Sequence, residues 1–140
     1  MSDFREFLAN ITRPIRRVGI TGSRTWTWES DVHEGLSLVR RYVDGIDVGY
    51  DVPLTLVHGA AGRGVDRIGR DYAAAGGWDI EPHPADWISN GRAAGLMRNV
   101  EMVREGADVW LAWIHNGSRG ATHCADYAEK CGIPTWRWTR

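Results

Sequence analysis

A chain of 140 residues fits one domain of ordinary size and can bury a core without disulfides or metal ions as staples. With 43% hydrophobic and 25% charged residues, it is composed like a globular protein and unlike a disordered tail. The formal net charge of −1 argues against general electrostatic affinity for nucleic acid or anionic membrane.

Residues 1–10 lack the apolar stretch of a signal peptide and read as a short helix, which makes residues 1–13 an N-terminal helical extension of a single domain spanning 1–140. Thr12-Arg-Pro14 breaks that helix. Arg17-Val-Gly-Ile-Thr21 is the first strand, closed by Gly22-Ser23-Arg24. Ser30 or Asp31 can cap the helix that follows, with Val32, Leu36, Val39 and Val43 at helical spacing. A polar connection from Asp44 to Pro53 leads to a second strand, Leu54–His58, then to Gly59-Ala-Ala-Gly-Arg-Gly64 and a helix from Val65 to Ala75. Trp78–Glu81 is a weaker third strand, and the next helix spans about Ala93 to Glu105. Asp108–His115 is the clearest buried strand, with Trp110 and Trp113 on opposite faces. Its longest apolar run, Val109 to Ile114, is far short of the ~20 residues a membrane helix needs. A helix ending near Cys131-Gly132 and a closing strand, Pro134–Trp138, complete the chain. Trp136 and Trp138 share one face there, suited to packing or to an interface in a homo-oligomer.

Cys124 and Cys131 sit on one predicted helix, about 10.5 Å apart at ~1.5 Å per residue. That is too far to bridge each other, so both read as buried thiols of a cytoplasmic protein. Short strands alternating with amphipathic helices signal βαβ units and a parallel sheet. The expected fold class is α/β, a Rossmann-like three-layer sandwich whose five-stranded, mostly parallel sheet has the order 3-2-1-4-5.

Strands one, two and four each run directly into a loop carrying Gly and Arg: Gly22-Ser23-Arg24, Gly59 to Gly64 with Arg63, and Gly117-Ser118-Arg119-Gly120. In a parallel sheet such loops share the carboxyl edge, and strands one and four straddle the topological switch point. Backbone N–H groups at helix starts, approached closely over glycine, hold phosphate, and guanidinium groups fork onto it. Two fingerprints fail. Gly59-x-x-x-x-Gly64 has Walker spacing, but Val65-Asp66 replaces the required Lys-Ser/Thr, and Gly19-x-x-Gly22 is not a dinucleotide motif. The five His are scattered without metal-ligand spacing, so neither a metal nor a cofactor is expected. No G-x-S-x-G elbow appears.

Gly22-Ser-Arg, His58-Gly-Ala, Arg63-Gly-x-Asp66, Pro84-Ala-Asp-Trp87, Gly91-x-x-Ala94-Gly95-x-x-Arg98-Asn99-x-x-Met102 and Gly117-Ser-Arg-Gly120 together closely resemble the YspA/YpsA-related branch of the SLOG superfamily, named for the Smf/DprA and LOG proteins. The resemblance covers about residues 15 to 138. It implies a Rossmann-like fold that binds nucleotides or nucleotide-derived ligands at the strand carboxyl ends. Relatives include antiviral and nucleotide-signalling sensors, a molybdenum-cofactor carrier and the LOG phosphoribohydrolases.

The LOG motifs R-K-x-x-M and P-G-G-x-G-T-x-x-E map onto Arg98–Met102 and Asn116–Cys124. Asn99 replaces the lysine and Cys124 stands at the catalytic glutamate position. The resemblance and the loops together nominate Gly22, Ser23, Arg24, His58, Gly59, Arg63, Gly64, Asp66, Asp86, Arg98, Asn99, Gly117, Ser118, Arg119, Gly120 and Thr122 as ligand-binding residues, and leave the catalytic residues unassigned. For several of these a plainer role competes. Asp66 can be a helix cap, Trp87 core rather than pocket closure, Trp26 and Trp28 packing rather than base-stacking surfaces, and His58 and His115 structural.

The leading expectation is a nucleotide-like small molecule bound without efficient catalysis, by a sensor, carrier or sequestering protein. One alternative is a LOG-like hydrolase of nucleoside monophosphates with a relocated carboxylate, Asp126, Asp66 or Glu101. The second is single-stranded nucleic-acid binding as in DprA, which the near-neutral charge disfavours. A membrane partner is not expected.

Overall fold

A computed structural model describes residues 2–46 and 51–140. Strands β1 (Arg17–Gly22), β2 (Thr55–His58), β3 (Asp79–Pro82), β4 (Val109–Ile114) and β5 (Thr135–Thr139) form one sheet. Every pairing is parallel, in the order β3-β2-β1-β4-β5. The α/β, Rossmann-like expectation and its strand order therefore hold. Helices α1 (Ser2–Ala9), α2 (Glu29–Ile46), α3 (Val65–Ala75), α5 (Ala94–Glu105) and α6 (Arg119–Lys130) follow the predicted pattern. The polar connection proposed for 44–53 begins later than expected, because α2 continues to Ile46; residues 47–50 lie outside the described part. Between the third strand and Ala93 the sequence suggests no helix. A short α4 (Trp87–Asn90) and a 3-10 turn over 91–93 precede α5, because Asp86 caps α4 by accepting the Ser89 N–H at 3.0 Å.

The period of two along β4 decides the layers. Trp113, Leu111 and Val109 face a core shared with Ile20, Leu36, Val39 and Ile68, under α2 and α3. Trp110 faces the other way, onto Met102, Val103 and Cys124 of α5 and α6. Gly19 is its register partner on β1, and a Cβ there would lie within 2.6 Å of the indole; the missing side chain is what lets a tryptophan occupy the centre of the sheet. Trp113 stacks on Trp138 at 4.6 Å.

The N-terminal helix is more than an appendage. Phe4 and Leu8 are fully buried, and the Phe4 ring lies 5.6 Å from Trp136 and 5.0 Å from Trp138. These last two indoles thus pack within the chain. After β3 the chain crosses to β4, carrying α4 and α5 over the carboxyl edge, while the connections leaving β1 and β4 diverge to opposite faces. That divergence opens a crevice between them. Among the described residues, no helix is long and apolar enough to cross a membrane.

Truncating a fully buried phenylalanine costs about 3–5 kcal/mol through lost burial and the cavity left behind. Phe4→Ala should therefore lower the unfolding free energy by that amount in urea melts, with an unchanged slope. A loss under about 1 kcal/mol would mean that α1 is not part of the cooperative core.

Candidate functional site

A cavity of about 480 Å³, within the range of small-molecule sites, opens where the ends of β1 and β2 and the start of α6 meet α4 and α5. Its polar side depends on two glycines. A Cβ on Gly22 would stand 2.7 Å from the Trp113 carbonyl oxygen, and one on Gly64 would stand 2.5 Å from the Arg24 Cα. Gly64 also holds φ +70°, a left-handed conformation that glycine adopts at no steric cost. The β1–α2 loop and the start of α3 are therefore pressed together, with the Val65 N–H donating to the Ser23 carbonyl at 3.4 Å. The Ser23 hydroxyl accepts the His115 N–H at 2.8 Å, tying this loop to the end of β4.

The floor is built around Gly59. The Arg98 guanidinium donates to the Gly59 carbonyl and, at 3.4 Å, to the His83 carbonyl. Asp66, buried in the first turn of α3, accepts the Ala61 N–H on Oδ2 at 3.1 Å, and its Oδ1 is buried without a partner. A Cβ on Gly59 would meet both groups, 2.7 Å from the guanidinium carbon and 3.0 Å from Asp66 Oδ2. Burial raises the Asp66 pKa, outweighing the opposing pull of the backbone donors and of Arg98 and Arg24. Asn99, also buried, accepts from Arg98 Nε at 3.1 Å and donates to the Gly120 carbonyl at 3.2 Å, so it braces α5 against the start of α6.

The opposite wall is apolar. Trp87, Leu96 and Met102 line it; Trp87 is about half exposed and carries the Arg24 guanidinium 5.7 Å over its ring. Arg92 joins Arg24 and Arg98, giving the lining three arginines and a single carboxyl, Asp66. Among the described residues, no group of His, Cys, Asp and Glu is arranged to hold a metal.

Gly22, Ser23, Arg24, Gly59, Asp66, Arg98, Asn99, Ser118 and Gly120 thus line the cavity, while His58, Arg63, Gly64, Asp86, Gly117, Arg119 and Thr122 do not. Arg63 and Arg119 are exposed outside the lining. Gly64 and Gly117 (φ +61°) serve the backbone turns. Asp86 is the α4 cap, and Thr122 Oγ1 turns back onto the Ser118 carbonyl at 2.7 Å. His58 is buried beneath the loop, with Nδ1 accepting the Ala60 N–H at 3.0 Å. Burial and the nearby Arg70, His83 and Arg98 push its pKa down to about 4. Trp26 and Trp28 pack edge to face, outside the cavity. Sequence reasoning did not single out Arg92 and Leu96, and it quoted Gly95 and Met102 in the run 91–102 without nominating them as lining residues.

The profile of the YspA, cpYpsA-related SLOG family matches residues 16–89. The chain belongs to this family. The Gene 61 protein of Mycobacterium phage D29 is 42% identical over 126 residues, covering 86% of this chain and 94% of that protein. No solved structure matches. The matched span holds the first two glycine loops and Pro84-Ala-Asp-Trp87 of this SLOG chain; Arg98, Asn99 and the third loop lie beyond it. Cys124, expected at the LOG glutamate position, is completely buried among Val57, Met102 and Trp110, and burial pushes its thiol up to about 12. It is a neutral core side chain. Cys131, expected to be buried, is exposed, because it follows the last turn of α6.

Two outcomes test this geometry. Iodoacetamide should alkylate Cys131 alone in the native protein and Cys124 only after denaturation, read by peptide mass spectrometry, since the thiolate is the nucleophile. Because the folded pKa of His58 lies below its unfolded value, the unfolded chain takes up that proton first. Stability then falls as pH drops from 6.5 to about 4, by up to about 3 kcal/mol, with no further loss from this group below that window. His58→Asn should remove that part of the slope in urea melts at stepped pH. An identical slope in the variant would refute the buried neutral ring.

Proposed function

We propose that this protein binds a nucleotide or nucleotide-derived phosphorylated small molecule in the cavity, as a sensor, carrier or sequestering protein without efficient catalysis. The observation that carries the reading is the composition of the lining: three arginines against one carboxyl, glycine-backed loops at a topological switch point, and an apolar wall opposite. An anion suits the arginines and the first turn of α6, whose N–H groups at 119–121 have no intrahelical acceptor. A flat heterocycle suits Trp87 and Leu96. A cytoplasmic setting belongs to the same proposal.

The hydrolase alternative rests on Asp66 alone. Asp126 is paired with Arg137 at 2.9 Å on an exposed surface, and Glu101 is exposed, facing His83. Neither lines the cavity. An oxocarbenium-like transition state needs a nearby anion and an activated water, and burial favours the neutral form of Asp66. Binding of single-stranded nucleic acid is disfavoured by the net charge of −1; a steep salt dependence of oligonucleotide affinity would restore it.

Calorimetric titration with AMP and ADP tests the reading. A charge-assisted hydrogen bond contributes about 1.5–3 kcal/mol, so Arg24→Ala and Arg92→Ala should each weaken binding roughly tenfold or more. Arg63→Ala and Arg119→Ala should leave it unchanged. Gly120→Asp should abolish binding without loss of fold, because no atom stands within 4 Å of a Cβ there and the new carboxylate repels the anion. Release of adenine from AMP at roughly 1 s⁻¹ or faster, lost in Asp66→Asn, would overturn the binder in favour of the hydrolase.

A further inference from the structure

The chain between β3 and α5 lines the cavity without belonging to the core. None of residues 84–93 is buried, and Ile88 is fully exposed. The segment is fixed at its two ends. In front, the His83 N–H donates to the His58 carbonyl at 2.8 Å, its carbonyl accepts from Arg98 at 3.4 Å, and its ring bonds Glu81 at 2.8 Å. Behind, Ala94 is buried at the start of α5. Between these anchors the hydrogen bonds are internal. The Ser89 N–H donates to the Asp86 carboxylate, the Asn90 N–H to the Asp86 carbonyl, and the Gly91 N–H to the Trp87 carbonyl. Among the described residues, no hydrogen bond or ion pair joins 84–93 to the sheet or to the β1–α2 loop.

The interaction that crosses the cavity mouth is the Arg24 guanidinium, 5.7 Å over the Trp87 ring. A cation–π contact at an exposed site favours the closed arrangement by only about twofold to fivefold. A segment with no buried apolar side chain lies at the low-stability end of a fold. Gly91, at φ +54° with open space where a Cβ would stand, supplies a pivot between α4 and the 3-10 turn.

This same segment brings Trp87 and Arg92 to the cavity lining. Arg98, bonded to the Gly59 carbonyl, and Gly120, at the start of α6, line it from the fixed body of the fold. An anion that meets Arg92 and Arg98 together joins the two sides by charge-assisted hydrogen bonds, each stronger than the cation–π contact.

Resting on the nucleotide-binding reading above, we infer that residues 84–93 are a strap that opens and closes over the empty cavity, latched weakly by Arg24 on Trp87, and that the ligand's phosphate draws it shut through Arg92. Ligand binding and closure are then one equilibrium, shifted by the contacts that only the closed arrangement provides.

Hydrogen exchange read by mass spectrometry tests this on the unaltered protein and on Arg92→Ala. Each is measured free and with AMP at equal fractional saturation, set by calorimetry. Arg92 is exposed, so its removal leaves the fold intact. In the free protein, amides of 86–93 should exchange within about tenfold of an unstructured chain, and those of 99–103 in α5 far more slowly. Bound AMP should slow the strap amides of the unaltered protein roughly tenfold or more. In the Arg92→Ala complex that slowing should shrink by about threefold or more, while amides 119–121 at the start of α6 keep the protection the ligand gives them. Strap amides as slow as those of α5 in the free protein, or unchanged by bound AMP, overturn the strap and leave the nucleotide reading standing. Equal slowing in both complexes overturns closure through Arg92, again without touching that reading. Failure of the unaltered protein to bind AMP overturns both.

Discussion

The site exists because two loops meet where glycine leaves out a side chain. With no side chain at Gly22 or Gly64, the turn after β1 lies against the first residues of α3, and Val65 fills the space that a Cβ on Gly22 would need. This close approach carries the end of β2 toward the end of β1, so that Gly59, Arg24 and Asp66 face one volume. Ser23 extends the constraint to β4 through the His115 N–H. Three strand ends are thus set by contacts that glycine permits and by one hydroxyl, on a rigid sheet, before any charged group is considered. Such support favours fixed geometry over adaptability in whatever occupies the cavity.

The charged groups are then held by neutral atoms. Arg98 is held by backbone carbonyls and by the Asn99 side chain, with no hydrogen-bonded carboxylate partner among the described residues. The neighbouring Asp66 carboxyl acts on it through space, without a hydrogen bond between them. The single Asn99 amide both accepts from Arg98 and donates to Gly120, which an ammonium group, lacking an acceptor, could not do. Cys124 lies in the apolar layer. The one residue is a brace, the other part of the core.

Most of the architecture was legible because its signals are local and redundant. The alternation of short strands and helices, the glycines at strand ends, and the odd spacing of Trp110 and Trp113 each report the same parallel sheet, and strand limits agree to within one residue. The cavity lining was legible at the glycine loops and at the motif residues Arg24, Asp66, Arg98 and Asn99. Gly22 and Gly59 line the cavity at points where a Cβ would collide; there closeness of approach is written in the absence of a side chain. Arg63 and Arg119 lie outside the cavity lining: the sequence places an arginine in a loop but does not say toward which side of it the long, flexible side chain leaves. The apolar wall escaped notice because Leu96 and Met102 sit at spacings that also describe an ordinary packed helix, and the crossover from β3 to β4 that brings α5 over the carboxyl edge is a fact of topology. Cys131 shows the same limit on a smaller scale. One residue past a helix end changes its exposure, and helix ends are the least determinate feature of a periodic pattern.

The packing of Phe4 against Trp136 and Trp138 has a consequence for biosynthesis. Helix α1 leaves the ribosome roughly 130 residues ahead of the strand that shelters it, an interval on the order of ten seconds at about 5–20 residues per second. Throughout that time Phe4 and Leu8 have no completed core to enter, and β4 lacks its outer neighbour β5. The core around Phe4 therefore stays incomplete until β5 emerges, and a chain interrupted shortly before Trp136 would present both an uncovered aromatic helix and an unpaired, fully apolar strand edge to the quality-control machinery.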